Sequence, residues 1–302
     1  MTTTISPASR ARGVLCGQLI GDNLGALVEF SSASRIRELY PNGVRELTGG
    51  GPHAVAPGQP TDDTELALAL ARSVLRQGGF DEDDVRESYR RWAESGPFDI
   101  GNTCGAALLP PYIPNPDSMA NGALMRVSPL AVAYAGEPER AAHFARRDAA
   151  LTHPNQYVGD VNATYTAALA EVIAGADPVE ALRAHAGALR DDVAAYFEAP
   201  PEDVEYRIGF VRHAFHLTCY YAAQDTSFEE ALVAVVGMGG DTDTNAAIVG
   251  AFLGGALGED AIPQRWRDVV DAYHPDMANR PAEYSPHDLR DVADGLAALA
   301  GT

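Results

Sequence analysis

An all-α fold is predicted by three features of this 302-residue sequence. Apolar residues recur at helical spacing, short Gly/Pro-containing loops separate those runs, and alternating β-type segments are scarce. At 46% hydrophobic content the chain can bury a large core. No internal repeat, low-complexity segment or dividing linker is visible, so the expectation is a flexible leader over residues 1–10 and a single helical domain over 11–302.

The first helix falls within ARGVLCGQLIGDNLGALVEF, where Val14, Gly17, Gly21 and Gly25 are spaced to let another helix approach closely. A loop thick with turn formers, GGGPHAVAPGQP, follows. TDDTELALALARSVLRQGG then opens with cap-type residues, carries Leu66, Leu70 and Val74 at helical spacing, and stops at Gly78 and Gly79. Further helices are expected over 83–95, 124–135, 138–151, 159–174, 178–189, 206–220, 227–236, 244–257 and 286–300.

Composition narrows the function classes. The formal charge is −20 and every one of the 22 basic residues is arginine, so there is no basic excess to neutralise phosphates and nucleic-acid binding is not expected. The acidity is either a solvated surface or a site that collects cations. No apolar run is long enough to span a membrane and no secretory leader is visible, so a cytoplasmic protein without membrane attachment, acting as a monomer, is expected. Cys16, Cys104 and Cys219 are odd in number and lack a CxxC pair, which argues against disulfides or a zinc ribbon.

Two acidic clusters sit where helices begin: Asp62 and Asp63 in TDDT, and Asp241 and Asp243 in GGDTDT. Asp and Thr are favoured N-caps, and Asp62 with Glu65 has capping-box spacing, so each cluster alone reads equally well as a cap. Together, four carboxylates with the hydroxyls of Thr61 and Thr244 are the oxygen ligands that Mg²⁺, Mn²⁺ or Ca²⁺ prefer. If the two helix starts meet, they can hold two cations for hydrolysis. Known acidic signatures fit less well. An EF-hand loop from Asp241 needs Gly and Glu where Ala246 and Phe252 stand, and a DDxxD motif from Asp62 fails at Leu66. A haloacid-dehalogenase-type DxDx[TV] nucleophile loop is closer, but it meets Asn245 and lacks α/β alternation.

In this order, GQLIGDNLGALVE, TDDTELALA, FDIGNTCGAAL, NGALMRVSPLAV, LTHPN, GGDTDTNAAIVGAFLGGALG and IPQRW resemble the ADP-ribosylglycohydrolase family, in particular its bacterial dinitrogenase-reductase-activating branch. The resemblance runs from about residue 11 to 270. It implies a compact orthogonal helical bundle with two divalent cations, Mg²⁺ or Mn²⁺. It also implies cleavage of the glycosidic bond between ADP-ribose and an acceptor, on an ADP-ribosylated protein or a small ADP-ribose-containing molecule. Arginine on a modified protein is the acceptor the resemblance favours. The alternatives are a hydrolase of serine-linked or small-molecule ADP-ribose or N-ribosides, and a descendant that binds ADP-ribose without cleaving it, which the intact TDDT and DTDT disfavour.

Carried over by position, Thr61, Asp62, Asp63, Asp241, Asp243 and Thr244 would be the metal ligands. Glu29 would bind or deprotonate the attacking water, with Asp63 also near the developing positive charge at the anomeric carbon. Asp22, in the same segment as Glu29, reads as structural. Asp99 corresponds to an aspartate of the arginine-directed branch, where a carboxylate can pair with a guanidinium; the other reading is a loop cap. Gly101, Asn102, Thr103 and Gly105 would let backbone N–H groups approach a pyrophosphate. Asn121, Gly122, Met125 and His153 fall where the family contacts ribose and phosphate, although a lone histidine such as His153 reads equally as a core residue. One departure is Ala120, where the family often has Ser, so one ligand hydroxyl is missing and the acceptor is open.

Overall fold

Four glycines on one face of the first helix decide how the molecule is assembled. α1 (Pro7–Gly25) runs antiparallel to α13 (Thr242–Leu257), with Gly13, Gly17, Gly21 and Gly25 facing Gly254, Gly250, Ala246 and Thr242. A Cβ on Gly17 would stand 2.2 Å from the Gly250 carbonyl oxygen, so the two backbones meet with no side chain between them. Both helices are buried nearly all round, as helices without a polar face must be. In this computed structural model residues 5–275 and 280–301 are described.

The chain between these helices runs through α2 (Ala33–Leu39), α3 (Asp62–Gln77), α4 (Glu82–Glu94), α5 (Asn102–Leu108), α6 (Ser128–Ala133), α7 (Pro138–Ala150), α8 (Gln156–Ile173), α9 (Pro178–His185), α10 (Val193–Tyr196), α11 (Val211–Ala222) and α12 (Phe228–Val236). After α13 come α14 (Gln264–Asp271) and α15 (Leu289–Ala297). Among the described residues no β-strand forms, and only isolated bridges occur, one of them between Gly50 and Val55. The predicted all-α class is the observed one.

Local chemistry accounts for the ends. Ser6 accepts from Ser9 N and Pro7 takes the first helical position, so α1 begins inside the stretch expected to be a flexible leader; residues 1–4 of that stretch lie outside the described residues. Thr61 caps α3, and Gly78 ends it in the left-handed region at φ 68°. Glu65 takes no part in a capping box: its carboxylate accepts from the Trp92 indole at 2.7 Å and pairs with Arg280 in the interior.

Where the expected boundaries differ, backbone chemistry explains it. The helix expected over 124–135 is divided into a 3₁₀ turn at Leu124–Arg126 and α6. Pro129 has no N–H for the Met125 carbonyl, which instead accepts from Gln18 Nε2 at 2.9 Å. The helix expected from residue 206 starts only at Val211, because Arg207 and Gly209 take positive φ. α9 ends at His185 and α15 spans Leu289–Ala297, each shorter than expected, while α8 starts earlier, at an Asn155 cap. The short helices α2, α5, α10 and α14 were not expected.

Candidate active site

Four chain segments bring acid groups to one place: the turn after α1 with Glu29, the start of α3 with Asp62 and Asp63, the loop before α5 with Asp99, and the start of α13 with Asp241 and Asp243. The α1–α13 contact aligns the first and last of these. The Thr242 hydroxyl donates to the Gly25 carbonyl at 2.7 Å, tying the end of α1 to the start of α13. Gly239 and Gly240, at φ 80° and 76°, turn the chain into Asp241 where any side chain would be strained.

Asp22 braces the second wall. Its carboxylate accepts from Thr61 N at 3.1 Å and Thr64 N at 3.2 Å, satisfying first-turn donors of α3 from the neighbouring helix. This is the structural role its position suggested. The Thr61 hydroxyl donates to Asp63 Oδ2 at 3.1 Å, and the Thr244 hydroxyl reaches the same oxygen at 3.3 Å. Asp63 Oδ1 is buried with no hydrogen-bond partner. Asn121 Nδ2 donates to Asp241 Oδ2 at 2.7 Å, so its amide holds a carboxylate at the floor of the cleft.

The electrostatics follow from crowding acids in a dry place. Glu29, Asp22, Asp62, Asp63, Asp241 and Asp243 are all buried. Burial first, then neighbouring carboxylates Asp99 and Asp241, push Glu29 up to about 8. Burial lifts Asp22 to about 7 against the hydrogen bonds from Thr64 and Thr61. Burial and mutual repulsion hold Asp62, Asp63 and Asp243 well above the usual carboxylate range. Asp99 is raised by burial and restrained by His53.

This donor set suits a hard divalent cation. All its atoms are oxygens, and two buried ones, Asp63 Oδ1 and Glu29 Oε2, have no hydrogen-bond partner. Ligand oxygens of Glu29, Asp241 and Asp243 lie within 4.8 Å of one another, so Glu29 belongs spatially with the α13 pair.

Above the acids lies a cleft of about 370 Å³, lined by Asp62, Asp99, Gly101, Asn102, Thr103, Ala120, Asn121, Gly122, Met125, His153, Asp241, Asp243 and Thr244 among others. That size lies within the range of small-molecule pockets. Two predicted site residues, Thr61 and Asp63, sit beneath the lining rather than in it. Gly105 does not line the cleft, and its N–H is spent on the Gly101 carbonyl at 2.8 Å inside α5, so it has no donor to offer a pyrophosphate. The Gly101 N–H leans toward Asp62 Oδ2 at 3.4 Å, and the Thr103 hydroxyl is shared with Ser118.

His153 is 1% exposed, yet faces the cleft. Its Nδ1 lies 2.8 Å from the Thr152 hydroxyl, which itself accepts from Arg126 at 2.9 Å and so has its own proton to give. That arrangement favours a hydrogen on Nε2, the atom left without a partner beside Gly122. Burial, then Arg126, depress His153 to about 3, so it is a neutral donor. Arg126, fully buried and paired with Asp148 at 3.1 Å, was not singled out in the sequence. Neither was His53, whose Nε2 stands 3.2 Å from Glu29 Oε2 and 3.4 Å from Asp99 Oδ2. A histidine in a glycine-rich turn carries no signal until the turn is folded.

The family profile described as ADP-ribosylglycohydrolase matches residues 3–301. The chain is 32% identical over 304 residues to an ADP-ribosyl-[dinitrogen reductase] glycohydrolase of Rhodospirillum rubrum, covering 97% of each chain. It is 27% identical to the ADP-ribosylarginine hydrolase Tri1 of Serratia proteamaculans, covering 86% of this chain and 75% of that one. A solved structure titled ADP-ribosylglycohydrolase-related protein complex superposes with a TM-score of 0.80 at 30% identity, covering 98% of this chain and 99% of the other.

Proposed function

The chain belongs to the ADP-ribosylglycohydrolase family and is an ADP-ribosyl glycohydrolase, and we propose that it uses two divalent cations, Mg²⁺ or Mn²⁺, to release ADP-ribose from arginine on a modified protein. The observation that carries the reading is the meeting of the α3 and α13 starts in one buried, oxygen-only, strongly acidic cluster open to a cleft. Asp62, Asp63, Asp241 and Asp243, with the hydroxyls of Thr61 and Thr244, would hold the cations. When bound, such cations supply Lewis-acid charge and lower the pKa of coordinated water.

The remaining steps belong to this chain's own side chains. Glu29, at the edge of the cluster, takes the proton of the attacking water; a cation held beside it would offset the burial and neighbouring carboxylates that raise its pKa and would keep it ionised at neutral pH. The carboxylates of Glu29 and Asp63 stabilise positive charge developing at the anomeric carbon. Asn121, through Asp241, keeps the floor of the cleft in place. His153 Nε2, buried and unpartnered in the cleft lining, offers a donor to a ligand oxygen. Asp99 faces the acceptor and pairs with a guanidinium. The S. proteamaculans relative, named for arginine, supports that acceptor, and the R. rubrum relative, named for dinitrogen reductase, supports a protein substrate.

The test is turnover by purified protein of arginine-linked and serine-linked ADP-ribose on peptides, with Mn²⁺ or Mg²⁺ and with chelator. Arginine-linked substrate should be preferred and chelator should abolish cleavage; equal rates with chelator present would overturn the metal reading.

A further inference from the structure

His53 brings a nitrogen ligand to a place where the rest of the cluster offers only oxygen. It stands on the turn Gly51–Ala54, which is closed by Gly50 N to Val55 O at 2.8 Å and Val55 N to Gly50 O at 2.9 Å. The turn is pressed against the end of α1: a Cβ on Gly51 would meet the Ala26 carbonyl oxygen at 2.0 Å. The imidazole is therefore delivered from a fixed backbone to the segment that carries Glu29. Phe98 packs against its ring, with centroids 5.6 Å apart, and Asp99 follows next in the chain.

Ligand atoms of Glu29, His53 and Asp99 lie within 4.8 Å of one another. Although His53 Nε2 approaches Glu29 Oε2 to 3.2 Å, neither atom has a hydrogen-bond partner, and both are buried. Glu29 is only 6% exposed, so an unspent carboxylate oxygen points into this cluster from the interior. The separations of 3.2 Å and 3.4 Å from Nε2 to the two carboxylates match a tetrahedral edge. Ligand bonds of about 2.0–2.1 Å, as zinc makes to nitrogen and oxygen, give an edge of about 3.3 Å.

We propose that His53, Glu29 and Asp99 form a separate binding site for a transition-metal cation of the zinc class, and that its occupation closes the acceptor end of the cleft. One imidazole and two carboxylates select Zn²⁺ or Co²⁺ over Mg²⁺, which prefers oxygen alone. Its three ligands are not among Asp62, Asp63, Asp241 and Asp243, although Glu29 and Asp99 line the same cleft as that cluster. The inhibitory consequence rests on the functional reading above, in which Glu29 takes a proton and Asp99 meets the acceptor; the binding site does not.

The experiment therefore has a readout independent of turnover. Full-length protein saturated with Mg²⁺ is titrated with Co²⁺, and visible absorption follows four- or five-coordinate binding. The wild type should bind one Co²⁺ that Zn²⁺ displaces. His53→Gln should weaken Co²⁺ binding at least about tenfold, and Asp99→Asn, which leaves the turn untouched, should weaken it as well. In the assay with excess Mg²⁺, Zn²⁺ should inhibit wild type, and the half-inhibitory concentration should rise at least about tenfold in His53→Gln relative to that variant's own uninhibited rate. An unchanged Co²⁺ spectrum in both variants, or equal zinc sensitivity in His53→Gln, would place the metal elsewhere and overturn the site. Co²⁺ binding that depends on His53 in a protein without glycohydrolase activity would leave the site standing and sink the functional reading instead.

Discussion

The hydroxyl of Thr244, on the first turn of α13, lies 3.3 Å from Oδ2 of Asp63, on the first turn of α3. One bond thus joins the two acidic helix starts, which lie far apart in the sequence. The Thr61 hydroxyl donates to the same oxygen, leaving the other oxygen of Asp63 unpartnered. Thr244→Val removes the hydroxyl while keeping the volume, so Mn²⁺ affinity should fall roughly ten- to a hundred-fold. Thr244→Ser should retain most of it. Isothermal calorimetry decides, and equal affinities for both variants would remove Thr244 from the site.

Metal-free protein should lose stability as pH rises. The folded-state pKa of Glu29 is raised from 4.5 to about 8 and that of Asp22 from 3.8 to about 7, so between those limits the native state binds more protons than the unfolded chain. Stability then falls with increasing pH across that window. Tm in chelator should drop between pH 5 and 8, and added Mn²⁺ should raise Tm more at pH 8 than at pH 5. A Tm flat in pH and blind to metal would contradict the crowded-acid description.

Glu29→Gln keeps shape and removes the base. Turnover at saturating substrate should fall roughly 10²- to 10⁴-fold, with ADP-ribose affinity changed far less. Steady-state rates together with calorimetry of the free ligand separate the two effects; an unchanged rate would assign the proton acceptor elsewhere.

Asp99→Asn should lower kcat/KM for arginine-linked ADP-ribose roughly ten- to a hundred-fold, equivalent to about 1.5–3 kcal/mol for a charge-assisted pair. Serine-linked substrate should be little affected. Equal loss on both substrates would mean that Asp99 does not select the acceptor.

The backbone contact of α1 with α13 leaves no room for a methyl group. In Gly250→Ala the new Cβ would stand 2.3 Å from the Gly17 carbonyl oxygen, so the helices must separate. The cost should be about 1–3 kcal/mol in urea unfolding. Because Asp241 is the N-cap of α13 and Asp243 lies on its first turn, metal affinity should weaken alongside. A stability unchanged within error would show that the helices can part freely.

The long helices were legible because each carries many turns of apolar periodicity between strong stops, as α3 does between Thr61 and Gly78. The short ones, α5 and α10 among them, show too few turns for a period to appear. Of the site, the paired acids at helix starts and the small-residue faces of α1 and α13 could be read as chemistry waiting for a partner.

What the chain order could not say was which groups would meet. Only packing sets Asp22 against the first turn of α3, spends the Gly105 amide inside α5, commits the Asn121 side chain to Asp241, and swings His53 between Glu29 and Asp99. Periodicity and capping act over a few residues and are written in neighbouring letters. The site is made by through-space contacts between segments remote in sequence, and their geometry exists only once α1 and α13 have closed backbone to backbone.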